Sequence, residues 1–330
     1  MPRRWNALLS VLAAFLLGTG ANADGQPTAR VYKVGLLVPG DGTTTSEVAS
    51  DIRQGLRDLK YIEGKDFTLE YRYGDGTVNH LADVAAELMR LRVDIIVTVG
   101  ESAALVAKHA TTTIPIVMTD LKQDPVKAGL IASLGRPGGN VTGLSSQSDE
   151  LWEKRLGLLK EAMPSVSRII VVSNGMDLGN ASCPLEIRRA ARGLGLEVVD
   201  LGFSREWGLA RESSIAPRNS GDAVAVCWDD ATLKNAQAIA EYGLTHKLPT
   251  VAPLREYVNA GVLVAFGANL SAQRRRAAYY VDRILKGAKP GELPVQAASK
   301  FELVVNMKTA RALSITVPPT MLGRADEVIE

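Results

Sequence analysis

The strongest constraint on this chain is a regular alternation of apolar, β-like runs with apolar positions at helical spacing. Residues 31–38 form an apolar run ending at Pro39-Gly40, and Val48, Ile52, Leu56 and Leu59 follow three or four residues apart. Residues 67–71 read as the next strand, and Leu81, Val84, Leu88 and Leu91 as the next helix. Residues 93–99 are almost continuously apolar, the pattern of a strand covered on both faces. A helix over 102–110 and a strand over 114–118 follow. The spacing then predicts a helix over 125–134 that opens on Pro125, a turn at Pro137-Gly138-Gly139 and a strand over 141–144. The alternation restarts with helices over 151–162, 184–193 and 231–246. Strands are predicted over 168–172, 197–201, 223–227, 250–252 and 262–266. Strand–helix alternation of this kind implies parallel sheets with helices on their faces. Two such runs in 330 residues exceed one comfortable core, so the fold class expected is α/β with two doubly wound parallel-sheet lobes.

The first residues do not belong to this pattern. Arg3 and Arg4 precede an apolar stretch over 7–17, and Ala21-Asn22-Ala23 has the form of a cleavage site. Residues 1–23 are therefore expected to be a signal peptide cleaved near Ala23. The apolar stretch is shorter than the roughly 20 residues that span a bilayer. No Cys follows it, so a lipid anchor is not indicated. The chain is expected in the periplasm, free in solution. Without the two Arg of that segment, basic and acidic residues are equal in number. That balance argues against a nucleic-acid partner, which needs a basic surface. Cys183 and Cys227 are the two cysteines, and an oxidising compartment permits a bond between them. Two buried free thiols are the simpler reading. Neither these cysteines nor His80, His109 and His246 show metal-ligand spacing, so no metal is expected. Arg274-Arg275-Arg276 adjoins a helical stripe of Ala277, Val281, Ile284 and Leu285 and reads as a solvated face.

Four stretches carry a family resemblance. They are Ile52-Arg53-Gln54-Gly55-Leu56 through Tyr61-Ile62-Glu63-Gly64, and Asp124-Pro125-Val126-Lys127-Ala128-Gly129-Leu130. Next is Arg136-Pro137-Gly138-Gly139-Asn140-Val141-Thr142-Gly143, and last Lys300-Phe301-Glu302-Leu303-Val304-Val305-Asn306. With them the chain resembles the ABC-transporter substrate-binding family related to tryptophan and tyrosine importer binding proteins. The resemblance runs from Val31 to Glu330. It implies a type I periplasmic-binding fold, with a small-molecule ligand held between lobes joined by crossover strands. It implies no cofactor, no catalysis, a monomer, and partnership with an inner-membrane ABC permease and its ATPase. On this basis lobe one takes in residues 24–147 and about 268–297, and lobe two residues 148–267 and about 298–330. The chain departs from the family pattern at three places. The loop Asp41-Gly42-Thr43-Thr44-Thr45-Ser46 lacks the usual Ser-Pro. Gly100-Glu101-Ser102-Ala103 stands where Gly-Thr-x-Ala is common. The segment between Val117 and Asp124 is one residue longer.

Chemistry selects the site independently, because ligands of open α/β sheets bind outside the carboxyl ends of the strands. Those loops hold Thr45, Ser46, Glu101, Ser102, Ala103 and Asp124 in lobe one. In lobe two they hold Asn174, Asn180, Trp228, Asp229, Asp230 and Glu256. Ser46 and Ser102 are expected at helix starts, where backbone N–H groups receive anions; either also serves as a cap. Asp229 and Asp230 suit a ligand ammonium, with Asp230 the better candidate to cap the following helix. Trp228 is the tryptophan best placed to stack on a ligand. The expected polarity puts the anionic end of the ligand on lobe one and its cationic end on lobe two. Glu101 is the exception, a carboxylate where a ligand carboxylate is expected. No nucleophile elbow, zincin or phosphate-loop motif is present, and no dinucleotide glycine motif follows a strand, so an enzyme is not expected. An extracytoplasmic sensor that presents its ligand to a membrane receptor is the alternative function.

Overall fold

The computed structural model describes residues 30–40, 42–74, 78–174, 182–203 and 221–330. The expected signal peptide lies outside these residues. The first half runs β1 (Tyr32–Val38), α1 (Gly42–Asp58), β2 (Phe67–Tyr73), α2 (Val78–Arg90), β3 (Ile95–Val99), α3 (Gly100–Ala110), β4 (Ile116–Leu121) and β5 (Val141–Ser145). The second continues with α4 (Trp152–Ala162), β6 (Arg168–Asn174), α5 (Ser182–Gly193), β7 (Glu197–Phe203), β8 (Asp222–Val226), α6 (Asp230–Lys234), α7 (Ala236–Thr245), β9 (Thr250–Ala252), α8 (Arg255–Asn259) and β10 (Val264–Ala268). The chain ends with α9 (Leu270–Leu285), β11 (Gln296–Ala297), β12 (Phe301–Asn306), α10 (Met307–Ala312), α11 (Pro319–Leu322) and β13 (Glu327–Ile329).

These strands form two sheets, as the alternation implies. The first has the order β11-β5-β4-β3-β1-β2 and is parallel throughout. The second has the order β13-β12-β10-β9-β8-β6-β7 and is parallel except where β12 runs against β10. Each sheet is covered on both faces. Val48, Ile52 and Leu56 of α1 with Ala277 and Val281 of α9 close one face of the first sheet. Leu81 and Leu88 of α2 with Ala103 and Ala107 of α3 close the other. In the second sheet α4 and α5 cover one face, and α6, α7 and α8 the other. Burial of this kind stabilises at about 25 cal/mol per Å² of apolar surface, which is why the central strands are apolar without alternation. The chain passes between the sheets three times: from β5 to α4, from β10 to α9, and from β11 to β12.

Several local expectations are corrected. Residues 125–134 are turns rather than a helix. Gly129 has φ +70, a left-handed geometry that ends the first turn before a helix can propagate. The predicted helix over 231–246 is two helices, α6 and α7, separated at Asn235. Cys183 and Cys227 form a disulfide rather than two free thiols. Arg274 does not lie on a solvated face. Its side chain is largely buried and donates from Nε to Asp120 Oδ2 at 2.7 Å. The run Arg136–Gly143 is structural. Asn140 donates to the carbonyls of Thr111 and Ile114, and Gly138 N donates to Gly291 O. A Cβ at Gly291 would lie 2.8 Å from Gly139 O, so these backbones approach as only glycine allows.

Candidate functional site

A contact at the carboxyl ends of their strands bridges the two sheets, and the residue after β4 supplies one side of it. The pairing of β4 with β5 slips between Met118 and Leu121, where three steps along β4 face two along β5. This is a β-bulge, and Asp120 at its centre has φ +59. Gly143 opposite accommodates it, since a Cβ there would lie 2.1 Å from Met118 O. The bulge falls within the segment between Val117 and Asp124. It turns Asp120 toward Thr119 Oγ1 and Arg274. It also places Lys122 at the junction between the sheets. Lys122 is 9% exposed, and its Nζ donates to the carbonyl of Trp228 at 3.2 Å and lies 5.7 Å from the centre of the Trp228 ring.

Around Lys122 is a buried cluster of charge. Glu101, the second residue of α3, is 2% exposed and points inward. Its Oε1 accepts the backbone N–H groups of Lys122 at 2.5 Å and Gln123 at 3.0 Å. Burial pushes the Glu101 carboxyl up, and the Lys122 ammonium pulls it partly back. Asp149 accepts from Ser182 Oγ at 2.5 Å, and its own N–H donates to Lys122 O at 3.1 Å. Burial pushes Asp149 up too, opposed by the Ser182 hydroxyl, Lys122 and Arg155. Arg155 is wholly buried, and burial lowers its pKa to about 9. All three of its nitrogens hydrogen-bond, Nε to Phe266 O and the other two to the carbonyl and hydroxyl of Ser148.

The residues expected from sequence are distributed around this cluster. Ser46 is exposed and belongs to the second turn of α1, because the helix starts at Gly42. The free N–H groups of a helix start belong to its first four residues, so the expected position of Ser46 is corrected. Thr45 lies in α1, but its side chain is outside the described residues. Ser102 is half-buried at the third position of α3. Ala103 is fully buried in the core beneath, which leaves only its backbone for a ligand. Asp124 accepts from Val126 N at 2.8 Å and so holds its own turn. Asn174 is half-buried at the end of β6. Asn180 lies outside the described residues.

Trp228 is half-buried beside Lys122. Asp229, not Asp230, caps α6: its backbone is extended, and its side chain accepts from Thr232 N at 2.8 Å in a capping box. Asp230 is the half-buried first residue of that helix. Glu256 is exposed on α8, within electrostatic reach of Arg274.

Sequence reasoning missed Lys122, Asp149, Arg155, Ser182 and Arg274. The longer segment before Asp124 was the one available signal, and it concerned Lys122. Among the described residues, no cluster of three or more His, Cys, Asp or Glu is arranged to hold a metal ion. A separate groove of about 700 Å³ lies beside α9, lined by Gly55, Leu144, Gln273, Tyr279 and Ala297 among others.

The chain is similar to known proteins in sequence and fold. Residues 33–329 match the family described as ABC transporter substrate binding protein. A tyrosine-binding protein of Clostridioides difficile (strain R20291) is 26% identical over 263 residues, covering 79% of this chain and 75% of that protein. A conserved domain protein of Vibrio cholerae superposes with a TM-score of 0.80 at 27% identity, covering 91% of this chain and all of that one. The ABC domain of Streptococcus pneumoniae in complex with L-Trp superposes with a TM-score of 0.78 at 22% identity, again covering 91% of this chain and all of that one.

Proposed function

The chain belongs to the ABC transporter substrate binding protein family, and on that premise we propose that it captures a small solute outside the cytoplasm and delivers it to the permease and ATPase of an importer. The solute class is an amino acid or a related small carboxylate. The L-Trp complex and the tyrosine-binding relative support that class. The observation that carries the reading is the Lys122–Trp228 contact, which joins the carboxyl ends of the two parallel sheets. That is where α/β folds bind ligands.

In this reading residues 24–147 and about 268–297 move as one lobe, and 148–267 with about 298–330 as the other. The three crossings form the hinge. Ser102, Lys122, Asn174, Trp228 and Asp230 line the cleft, and the side chains bind and orient the solute without transforming it. The protein is a monomer, exported by residues 1–23.

Thermal-shift screening of amino acids and small carboxylates tests the solute class. A solute that binds only the folded state stabilises it by about 2.7 kcal/mol at a hundred times Kd. One or a few strong stabilisers are expected. A screen in which no amino acid or small carboxylate raises Tm overturns the class.

A further inference from the structure

Two of the positions at which this chain departs from its family pattern meet in the fold. Glu101 stands where Thr is common, and Lys122 lies in the segment that is one residue longer. They are 21 residues apart, and the carboxylate of Glu101 accepts the backbone N–H groups of Lys122 and Gln123. A carboxylate this deeply buried needs a compensating cation. Lys122, itself buried, is the cation beside it, and its charge lowers the raised pKa of both Glu101 and Asp149.

The surroundings of the Lys122 ammonium are those that an amino-acid ligand's own ammonium requires. Two buried carboxyl groups stand beside it: Glu101 accepts the backbone N–H of Lys122, and Asp149 donates its own N–H to Lys122 O. The ammonium donates to the Trp228 carbonyl at 3.2 Å and faces the Trp228 ring at 5.7 Å. Of the neighbouring carboxylates, Asp149 and Asp229 are already engaged by the chain. Asp149 accepts from Ser182, and Asp229 accepts from Thr232 N as the cap of α6. A ligand ammonium placed here would displace Lys122 or lie beside a like charge in a buried setting, and both are unfavourable.

We propose that Lys122 is the specificity-determining residue of the cleft: its tethered ammonium fills the cation position between the sheets, so that the preferred solute is a carboxylate without an α-ammonium, such as a hydroxy acid, rather than the corresponding amino acid. This rests on the cleft being the solute site, as in the function proposed above.

Titration calorimetry with matched pairs tests it. Phenyllactate and phenylalanine, indolelactate and tryptophan, and lactate and alanine differ at one position, hydroxyl against ammonium. The wild-type protein is expected to bind the hydroxy acid of at least one pair about tenfold or more tightly than its amino acid, the scale of one charge-assisted hydrogen bond. Lys122→Met is expected to shift that ratio toward the amino acid by about tenfold or more. Should Lys122→Met fail to fold, the double variant Glu101→Gln, Lys122→Met removes one charge of each sign and carries the same test. Tighter binding of the amino acid by the wild type overturns the proposal, as does an unchanged ratio in the variants. Absence of binding by every member of every pair overturns instead the solute class on which it rests.

Discussion

Arg155 donates from Nε to the carbonyl of Phe266 at 2.7 Å, pinning the helix after the first crossing to the strand before the second. Its remaining nitrogens hold the carbonyl and hydroxyl of Ser148 within the first crossing itself. A wholly buried guanidinium is costly, and burial accordingly depresses its pKa to about 9. Removing it takes a donor from the Phe266 carbonyl and from the carbonyl and hydroxyl of Ser148. Arg155→Met is expected to destabilise the fold by about 1–3 kcal/mol in urea denaturation. A loss below about 1 kcal/mol would contradict this role.

The disulfide joins Cys183, at the start of α5, to Cys227, the residue before Trp228. It closes a long loop, with 44 residues separating its ends in sequence. Cross-links of this span stabilise by about 3–4 kcal/mol in the chain-entropy account. Replacing both cysteines with alanine is expected to lower stability by about that amount. It is also expected to weaken solute binding, because Trp228, proposed above to line the cleft, directly follows Cys227. Identical denaturation curves for the oxidised wild type and the double variant would refute the stabilising role.

Asp229 and Asp230 are adjacent but differ in task. Asp229 closes the capping box of α6, whereas Asp230 is half-buried at the first helical position. Asp229→Ala is expected to lower stability by about 0.5–2 kcal/mol, the usual range for a lost cap. Asp230→Ala is expected to change solute affinity with little change in Tm. Equal Tm values for the two variants would remove the distinction.

Burial raises the folded-state pKa of both Glu101 and Asp149 above their ordinary values of 4.5 and 3.8. A carboxyl with a raised folded pKa holds its proton more tightly in the folded state than in the unfolded state. Its contribution to stability is therefore complete below the ordinary value and is lost as pH rises through the folded value. Glu101→Gln keeps an oxygen acceptor for the N–H groups of Lys122 and Gln123 but cannot ionise. The fall in Tm as pH rises above about 4.5 is expected to be shallower in this variant than in the wild type. Parallel Tm–pH curves would count against an ionising Glu101.

The sequence made the scaffold readable because periodicity records burial. The apolar runs of β1, β3, β6 and β8 and the helical stripes of α1 and α2 are local consequences of facing a core. The bulge at Asp120 was not legible, because a bulge is a property of pairing between two strands rather than of one. Arg274 was misread because a basic run looks solvated until Asp120 and Asp51, from distant parts of the chain, are brought beside it. Arg155 and Asp149 left no local sign, since Phe266 and Ser182, which bind them, are distant in sequence. Asp229 and Asp230 were identified together, but only the backbone geometry at Asp229 decides which one caps.

In the function proposed, the carboxyl ends of the two sheets enclose the solute. A crystal structure with the strongest stabilising solute bound tests it most directly. The expected result is density between Ser102 and Lys122 on one side and Trp228 and Asp230 on the other. Density in the groove beside α9, against Gln273 and Tyr279, with the space at Lys122 and Trp228 empty, would contradict the account.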